Sequence, residues 1–260
     1  MDPLDRIDRR MSRRWPEHLW IVRHGQSAGN VARDAADAAG LPVIDIAERD
    51  VDVPLSALGH EQAAALGRWF AAMPTEDRPT TVLTSPYRRA QQTTAHVADA
   101  GGLHPEVCRE VDERLREKEF GILDRLTHAG IVARHPEQAE ARARSGKFYY
   151  RPPGGESWTD VILRLRSVID TLTREYNNCR IAIVSHQVIV LCFRYLLEGL
   201  TERDILAIDA AGDVANCSVT TYRYDEAAKK LTLRAYNVVA PMEEAGEPVT
   251  REPDAPVARK

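Results

Sequence analysis

Apolar residues fall into two patterns along this chain. Leu19–Val22, Thr81–Thr84 and Arg180–His186 (RIAIVSH) are short runs without the in-out alternation of a half-exposed strand. They predict strands covered on both faces. Longer stretches repeat apolar residues every three or four positions and predict helices. Residues 56–73 form one, with Ser56 as its N-cap and Leu58, Leu66, Trp69 and Met73 on one side. The stretch SPYRRAQQTTAHVADAGG forms the next: Ser85 caps it, Pro86 takes the first helical position, and Gly101 or Gly102 ends it. A third starts at Ser157, where Asp160 completes a capping box, and carries the stripe Val161, Leu165, Val168 and Leu172. VIVLCFRYLLEG predicts a buried helix ending near Gly199, and Ser218–Tyr224 with Leu231–Val238 predicts a hairpin across DEAAKK.

Strands alternating with helices predict an α/β fold, with a mainly parallel sheet and helices on both faces. Ligands of such sheets bind beyond the carboxyl ends of the strands. Arg23, His24 and His186 fall there. The ends of the chain read differently. Residues 1–17 form a polar extension, and Pro241–Lys260, with Pro248, Pro253 and Pro256 among acidic and small residues, reads as a mobile tail. One domain over residues 18–240 remains.

Composition narrows the function classes. A formal net charge of -4 offers no attraction to nucleic acid or an acidic membrane. The arginine cluster Arg9, Arg10, Arg13 and Arg14 is interleaved with Asp2, Asp5 and Asp8, as in a solvated arm. Cys108, Cys179, Cys192 and Cys217 lack the paired spacing of a zinc site and read as thiols of a reducing compartment. The N-terminus lacks a signal-peptide apolar region and no run is long enough to span a bilayer, so the sequence reads as cytoplasmic.

The chemistry lies at the strand ends. Two strands end in histidine, and a third leads into a helix whose first turn holds Arg88 and Arg89. Arginine opposes the dipole at a helix start, which points to an anion nearby. Its rigid fork matches phosphate oxygens, and a neutral histidine can attack phosphorus. Five carboxylates in the DERLREKEFG region, Glu110, Asp112, Glu113, Glu117 and Glu119, are alternative proton donors that residue type alone does not separate.

In order, RHGQSAGN, DVPLSALGHEQA, TSPYRRAQQT, RLREKEFG, PPGGESW and VSH resemble the histidine phosphatase superfamily, the phosphoglycerate mutase-like branch with the Arg-His-Gly signature. The resemblance runs from about Leu19 to Tyr224. It implies a three-layer α/β/α fold with a small cap insertion over about residues 122–153, and phosphoryl transfer through a phosphohistidine without metal or cofactor. It makes His24 the nucleophile, Arg23 and Asn30 phosphate contacts, and His186 the second histidine on the transferring group. Arg89, directly before the alanine of RRAQQT, becomes the second arginine. The pattern L-x-E, then an aromatic and a glycine, falls on Leu115, Glu117, Phe120 and Gly121 and selects Glu117 as the acid-base group.

Two features depart from the family or fall outside its motifs. Gln187 stands where the family usually has glycine, so it is expected to narrow the pocket or touch substrate. In the cap, Arg151, Lys147, Tyr149 and Tyr150 are expected to select the substrate. His18, His60, His96, His104, His128 and His135 read as surface or structural residues in helices or loops. The sequence thus predicts an enzyme for a small phosphorylated substrate, a metal-independent phosphatase first. A mutase using the same groups comes second and an inactive phospho-ligand binder third; a homodimer is the assembly to consider.

Overall fold

The structure, a computed structural model, describes residues 15–251. Its centre is a six-stranded sheet. The strands are β1 (His18–Arg23), β2 (Thr81–Thr84), β3 (Cys108–Val111), β4 (Arg180–Ser185), β5 (Val219–Asp225) and β6 (Lys230–Val238). Their order is β3-β2-β4-β1-β5-β6. The first four run parallel, and β5 and β6 add an antiparallel edge.

Alternation along the central strands divides the core into two. Leu19 and Ile21 of β1, with Ile181 and Ile183 of β4, point to one face, where helices cover them. These are α6 (Trp158–Glu175), α7 (Gln187–Glu198) and α8 (Glu202–Ala211). Trp20, Val22, Ala182 and Val184 point to the other face, against α2 (Ala57–Ala71) and α3 (Arg88–Asp99). Both faces are therefore dry, which explains why these strands lack polar alternation. The α6 stripe sits as expected: Val161, Leu165, Val168 and Leu172 are wholly buried behind the Ser157–Asp160 capping box.

Several local expectations shift. The buried side of α2 is Gly59, Gln62, Ala63, Leu66 and Phe70, while Trp69 and Met73 are only partly covered. Small residues hold that face because α3 packs close: a methyl on Gly67 would lie 2.8 Å from the His96 carbonyl oxygen. Helix α3 starts at Arg88 with Tyr87 as its N-cap, so neither Ser85 nor Pro86 takes the predicted place. His18 opens β1 and stacks on Trp20. The exposed edge strand β3 and helix α1 (Ala28–Ala38) were not among the predicted elements.

The reading of Pro241–Lys260 as a tail is corrected over its described part. Residues Ala240–Ala245 form α9, which lies on α2 with Pro241 and Met242 buried. Beyond it, Gln62 donates to the Pro248 carbonyl and to Thr250 Oγ1. Proline and acidic residues hid the buried pair Pro241 and Met242, the packing of Val249 on the core and the bonds from Gln62. At the other end the extension is shorter than 17 residues, because Trp15 packs on the core and its carbonyl accepts from Asn178. Residues 1–14 and 252–260 of the expected extension and tail lie outside the described residues.

The expected cap is two segments joined together. Helices α4 (His128–Arg134) and α5 (Pro136–Tyr149) follow a turn at Gly121–Leu126. That turn bonds to the loop at 39–53: Val43 bridges Leu126, Ile44 N donates to the Arg125 carbonyl, and Thr127 Oγ1 donates to Leu41 O. Arg125, a non-glycine residue at φ 59°, donates from its guanidinium to the carbonyls of Ile46 and Glu48.

Candidate active site

Parallel strands β1 and β4 are neighbours, with Arg23 opposite Ser185. The next residue on each is a histidine, and adjacent parallel strands are about 4.8 Å apart. The rings of His24 and His186 accordingly sit 5.0 Å apart, near perpendicular. The sheet register alone brings together two residues 162 positions apart in sequence.

The turn after His24 is tight. A Cβ on Gly25 would fall 2.6 Å from the Gly59 carbonyl oxygen, and one on Gly59 would fall 1.9 Å from the Gln26 carbonyl oxygen. The glycines of RHG and LGH are thus two sides of one contact, which places the start of α2 against the His24 loop. Thr93 Oγ accepts from Gly25 N and donates to the Arg89 carbonyl, tying this loop to α3.

Hydrogen bonds fix which nitrogen of His24 carries the proton. Nδ1 lies 2.7 Å from the Gly25 carbonyl, which can only accept, so Nδ1 carries the proton. Nε2 then presents its lone pair and accepts from Arg89 Nε at 3.2 Å. Burial, then the charges of Arg89 and Arg23, push the His24 pKa well below its ordinary value. The same causes, burial first and Arg89 second, depress His186. Both rings are neutral near pH 7, as nucleophilic attack by His24 requires.

The arginines are buried and braced. Arg89 is buried and Arg88 is exposed, so α3 turns only the former inward. Arg23 donates to the Val214 carbonyl and, at 2.9 Å, to Gln187 Oε1. Glu117 lines the same cleft; one of its oxygens accepts from Lys118 N at 2.8 Å, and the other is 3.7 Å from His186 Nδ1. His186 Nε2 meets Ser85 Oγ at 2.8 Å. The Ser85 hydroxyl, expected to cap a helix, instead contacts the second histidine. Asn30 lines the cleft too, and its Oδ1 accepts from Ser27, so its Nδ2 is what it can offer an anion.

Two expectations are corrected. Gln187 does not enter the cleft: it is buried, with Oε1 on Arg23 and Nε2 donating to Asp213. As the first residue of α7 it bridges Arg23 and Asp213. Nor do the four cap residues line the cleft. Arg151 pairs with Asp160, Lys147 with Asp209 at 2.5 Å, Tyr150 donates to Gln138, and Tyr149 is exposed. The outer wall comes instead from Arg33, Ile44, Ile46, Glu48, Asp50, Val53, Phe120, Asp124 and Arg125. The sequence reading missed Asp50, Asp124, Arg125 and Ser85. Among the described residues no group of three or more histidine, cysteine or acidic side chains is placed to hold a metal ion, and no helix is long and apolar enough to cross a membrane.

The arrangement can bind a dianion between two arginines, attack it with one imidazole and supply a proton from one carboxyl. The family model of the histidine phosphatase superfamily (branch 1) matches residues 19–237. A 6-phosphofructo-2-kinase/fructose-2,6-bisphosphatase of Caenorhabditis elegans is 34% identical over 68% of this chain and 33% of that protein. The chain thus spans about a third of that relative. The probable phosphoglycerate mutase GpmB of Yersinia enterocolitica is 28% identical over 80% of this chain and 85% of its own. The structure of a mycobacterial glucosyl-3-phosphoglycerate phosphatase superposes with a TM-score of 0.65 at 26% identity, over 85% of this chain and 99% of the other. The paired histidines, the buried Arg23 and Arg89, and this match across nearly the whole described chain show that it belongs to branch 1 of the histidine phosphatase superfamily.

Proposed function

We propose that the protein hydrolyses small phosphomonoesters through a phosphohistidine on His24. The observation that carries this reading is the tautomer of His24: a neutral ring with its Nε2 lone pair facing the cleft, between two arginines. The Nε2 lone pair forms the N–P bond while the ester P–O bond breaks. The leaving oxygen takes the proton of the Glu117 carboxyl group. The phosphorylated ring is then cationic at Nδ1–H, and the Gly25 carbonyl stabilises it through the existing hydrogen bond. In the second half Glu117, now a carboxylate, takes a proton from water as its oxygen attacks phosphorus. The N–P bond breaks and His24 returns to its neutral form. Arg23 and Arg89 neutralise the charge on the three equatorial oxygens, beside the neutral ring of His186.

Hydrolysis is favoured by the fructose-2,6-bisphosphatases and the phosphoglycerate phosphatase among its relatives. Phosphoglycerate mutase names among others support transfer back to substrate as the second reading. The four cysteines are all free thiols, in line with a cytoplasmic setting. The test is phosphate release from a panel of phosphomonoesters in a chelating buffer. Wild type should release phosphate and His24→Ala should not. Isomerised phosphoglycerate without free phosphate would establish the mutase reading instead.

A further inference from the structure

The wall of the cleft carries an anion of its own. Both terminal nitrogens of Arg89 are engaged by one residue: Nη1 donates to Asp50 O at 2.6 Å and to Asp50 Oδ1 at 3.0 Å, and Nη2 approaches Oδ2 at 3.4 Å. With Nε on His24 and Tyr87 packed 4.8 Å from the guanidinium carbon, four of the five N–H donors of Arg89 are engaged before any substrate arrives, three of them by Asp50. The two partners differ in exposure. The Arg89 side chain is 6% exposed and that of Asp50 40%, so the carboxylate lies at the mouth and the arginine at the base. Asp50 comes from a short turn, Asp50–Asp52, at the end of the long loop that Arg125 and Thr127 pin to the cap. It does not come from the strands that build the pit. Glu48 and Asp124 add two further carboxylates to the same wall.

A phosphoryl group can bind the Arg89 fork through two donors only by taking one from Asp50, and while bound it has a like charge beside it. Resting on the phosphatase reading above, we propose that Asp50 is the resident counter-anion of the phosphate pit: it holds Arg89 in the empty enzyme, is displaced by the phosphoryl group, and hastens the exit of inorganic phosphate. The backbone carbonyl of Asp50 keeps its own bond to Arg89 whatever the side chain, so replacing the carboxylate does not release the arginine. Asp50 is a positioning residue that acts through Arg89.

The experiment is calorimetric titration of the full chain with inorganic phosphate, for wild type, Asp50→Asn and Asp50→Glu, alongside phosphate inhibition of turnover. Asp50→Asn keeps the shape and removes the charge. It should bind phosphate about tenfold more tightly, the equivalent of one like-charge contact removed at a partly exposed site. The inhibition constant should fall by the same factor, and Asp50→Glu should stay near wild type. Unchanged or weaker phosphate binding by Asp50→Asn, with wild type still hydrolysing esters, would overturn the counter-anion role and leave Asp50 as a mere brace. Wild type that neither binds phosphate nor releases it would take down the phosphatase reading and this proposal with it.

Discussion

Lowering the pH from 7.5 to 5.5 should weaken the folded protein through the two buried histidines of the cleft. In the unfolded chain a histidine titrates near pH 6.5. In the folded protein burial, with Arg89 and Arg23, pushes both His24 and His186 well below that value. Below about pH 6.5 the unfolded chain therefore takes up protons that the folded one refuses, and stability falls as pH falls. Above that value neither state is protonated and the contribution is flat. At pH 5.5, one unit below the unfolded value, each histidine costs roughly 1.4 kcal/mol, and the pair roughly 2–3 kcal/mol. His24 is 4% and His186 0% exposed, so solvent screens little of this. Urea unfolding followed by the fluorescence of the buried Trp20 and Trp158 measures it. His18, also pushed down to about 4, titrates over the same range, but it contributes equally to wild type and to His24→Gln and cancels in their difference. Wild type should lose about 1.4 kcal/mol more than His24→Gln between the two pH values. Equal losses would mean that His24 is not held neutral, and the nucleophile argument would fail with it.

Other perturbations separate roles within the site. Glu117→Gln should reduce turnover of alkyl phosphates by about 10²–10⁴-fold, the usual loss of a general acid, and reduce turnover of an activated aryl phosphate far less; equal losses on both esters would remove Glu117 as proton donor. Gln187→Leu strips an acceptor from buried Arg23, so kcat/KM should drop by roughly 10–100-fold for every ester with their ranking unchanged; a changed ranking would return Gln187 to the substrate. Arg151→Ala should leave the substrate ranking alone and alter stability by less than about 1 kcal/mol, since its partner Asp160 lies outside the cleft; a new preference in the ester panel would reinstate it. Leu165→Ala should cost about 2–5 kcal/mol in urea unfolding, because Leu165 is wholly buried between α6 and the sheet; a loss under 1 kcal/mol would contradict that packing.

The residues that the sheet itself delivers were legible in the sequence. His24, Arg23 and His186 follow directly from apolar runs that end in polar residues, because a parallel strand covered on both faces has one opening, at its carboxyl end. Arg89 over Arg88 and Glu117 over its acidic neighbours needed the family resemblance, since helix phase and a charged loop leave several choices. What stayed hidden depends on long-range packing. Asp50 reaches Arg89 through a loop pinned by Arg125, and no periodicity records which carbonyl a guanidinium will find. Gln187 shows the converse: the resemblance singles out its position, but its direction is set by Asp213, 26 residues away. The tail differs from its reading because proline and acid content describes the average of a segment, whereas a few contacts, buried Pro241 and Met242, Val249 on the core and the bonds from Gln62, hold it down.

The central claim is that phosphorus is carried on His24 Nε2. Rapid acid-free quenching of wild type during turnover, followed by mass spectrometry of the peptide containing RHGQSAGN, tests it directly. The account predicts an acid-labile phosphoryl group on His24 that forms within the first turnover, is absent in His24→Ala, and accumulates in Glu117→Gln when an activated aryl phosphate is the donor. Phosphate release at full rate with no label on that peptide, or with the label on another residue, would contradict it.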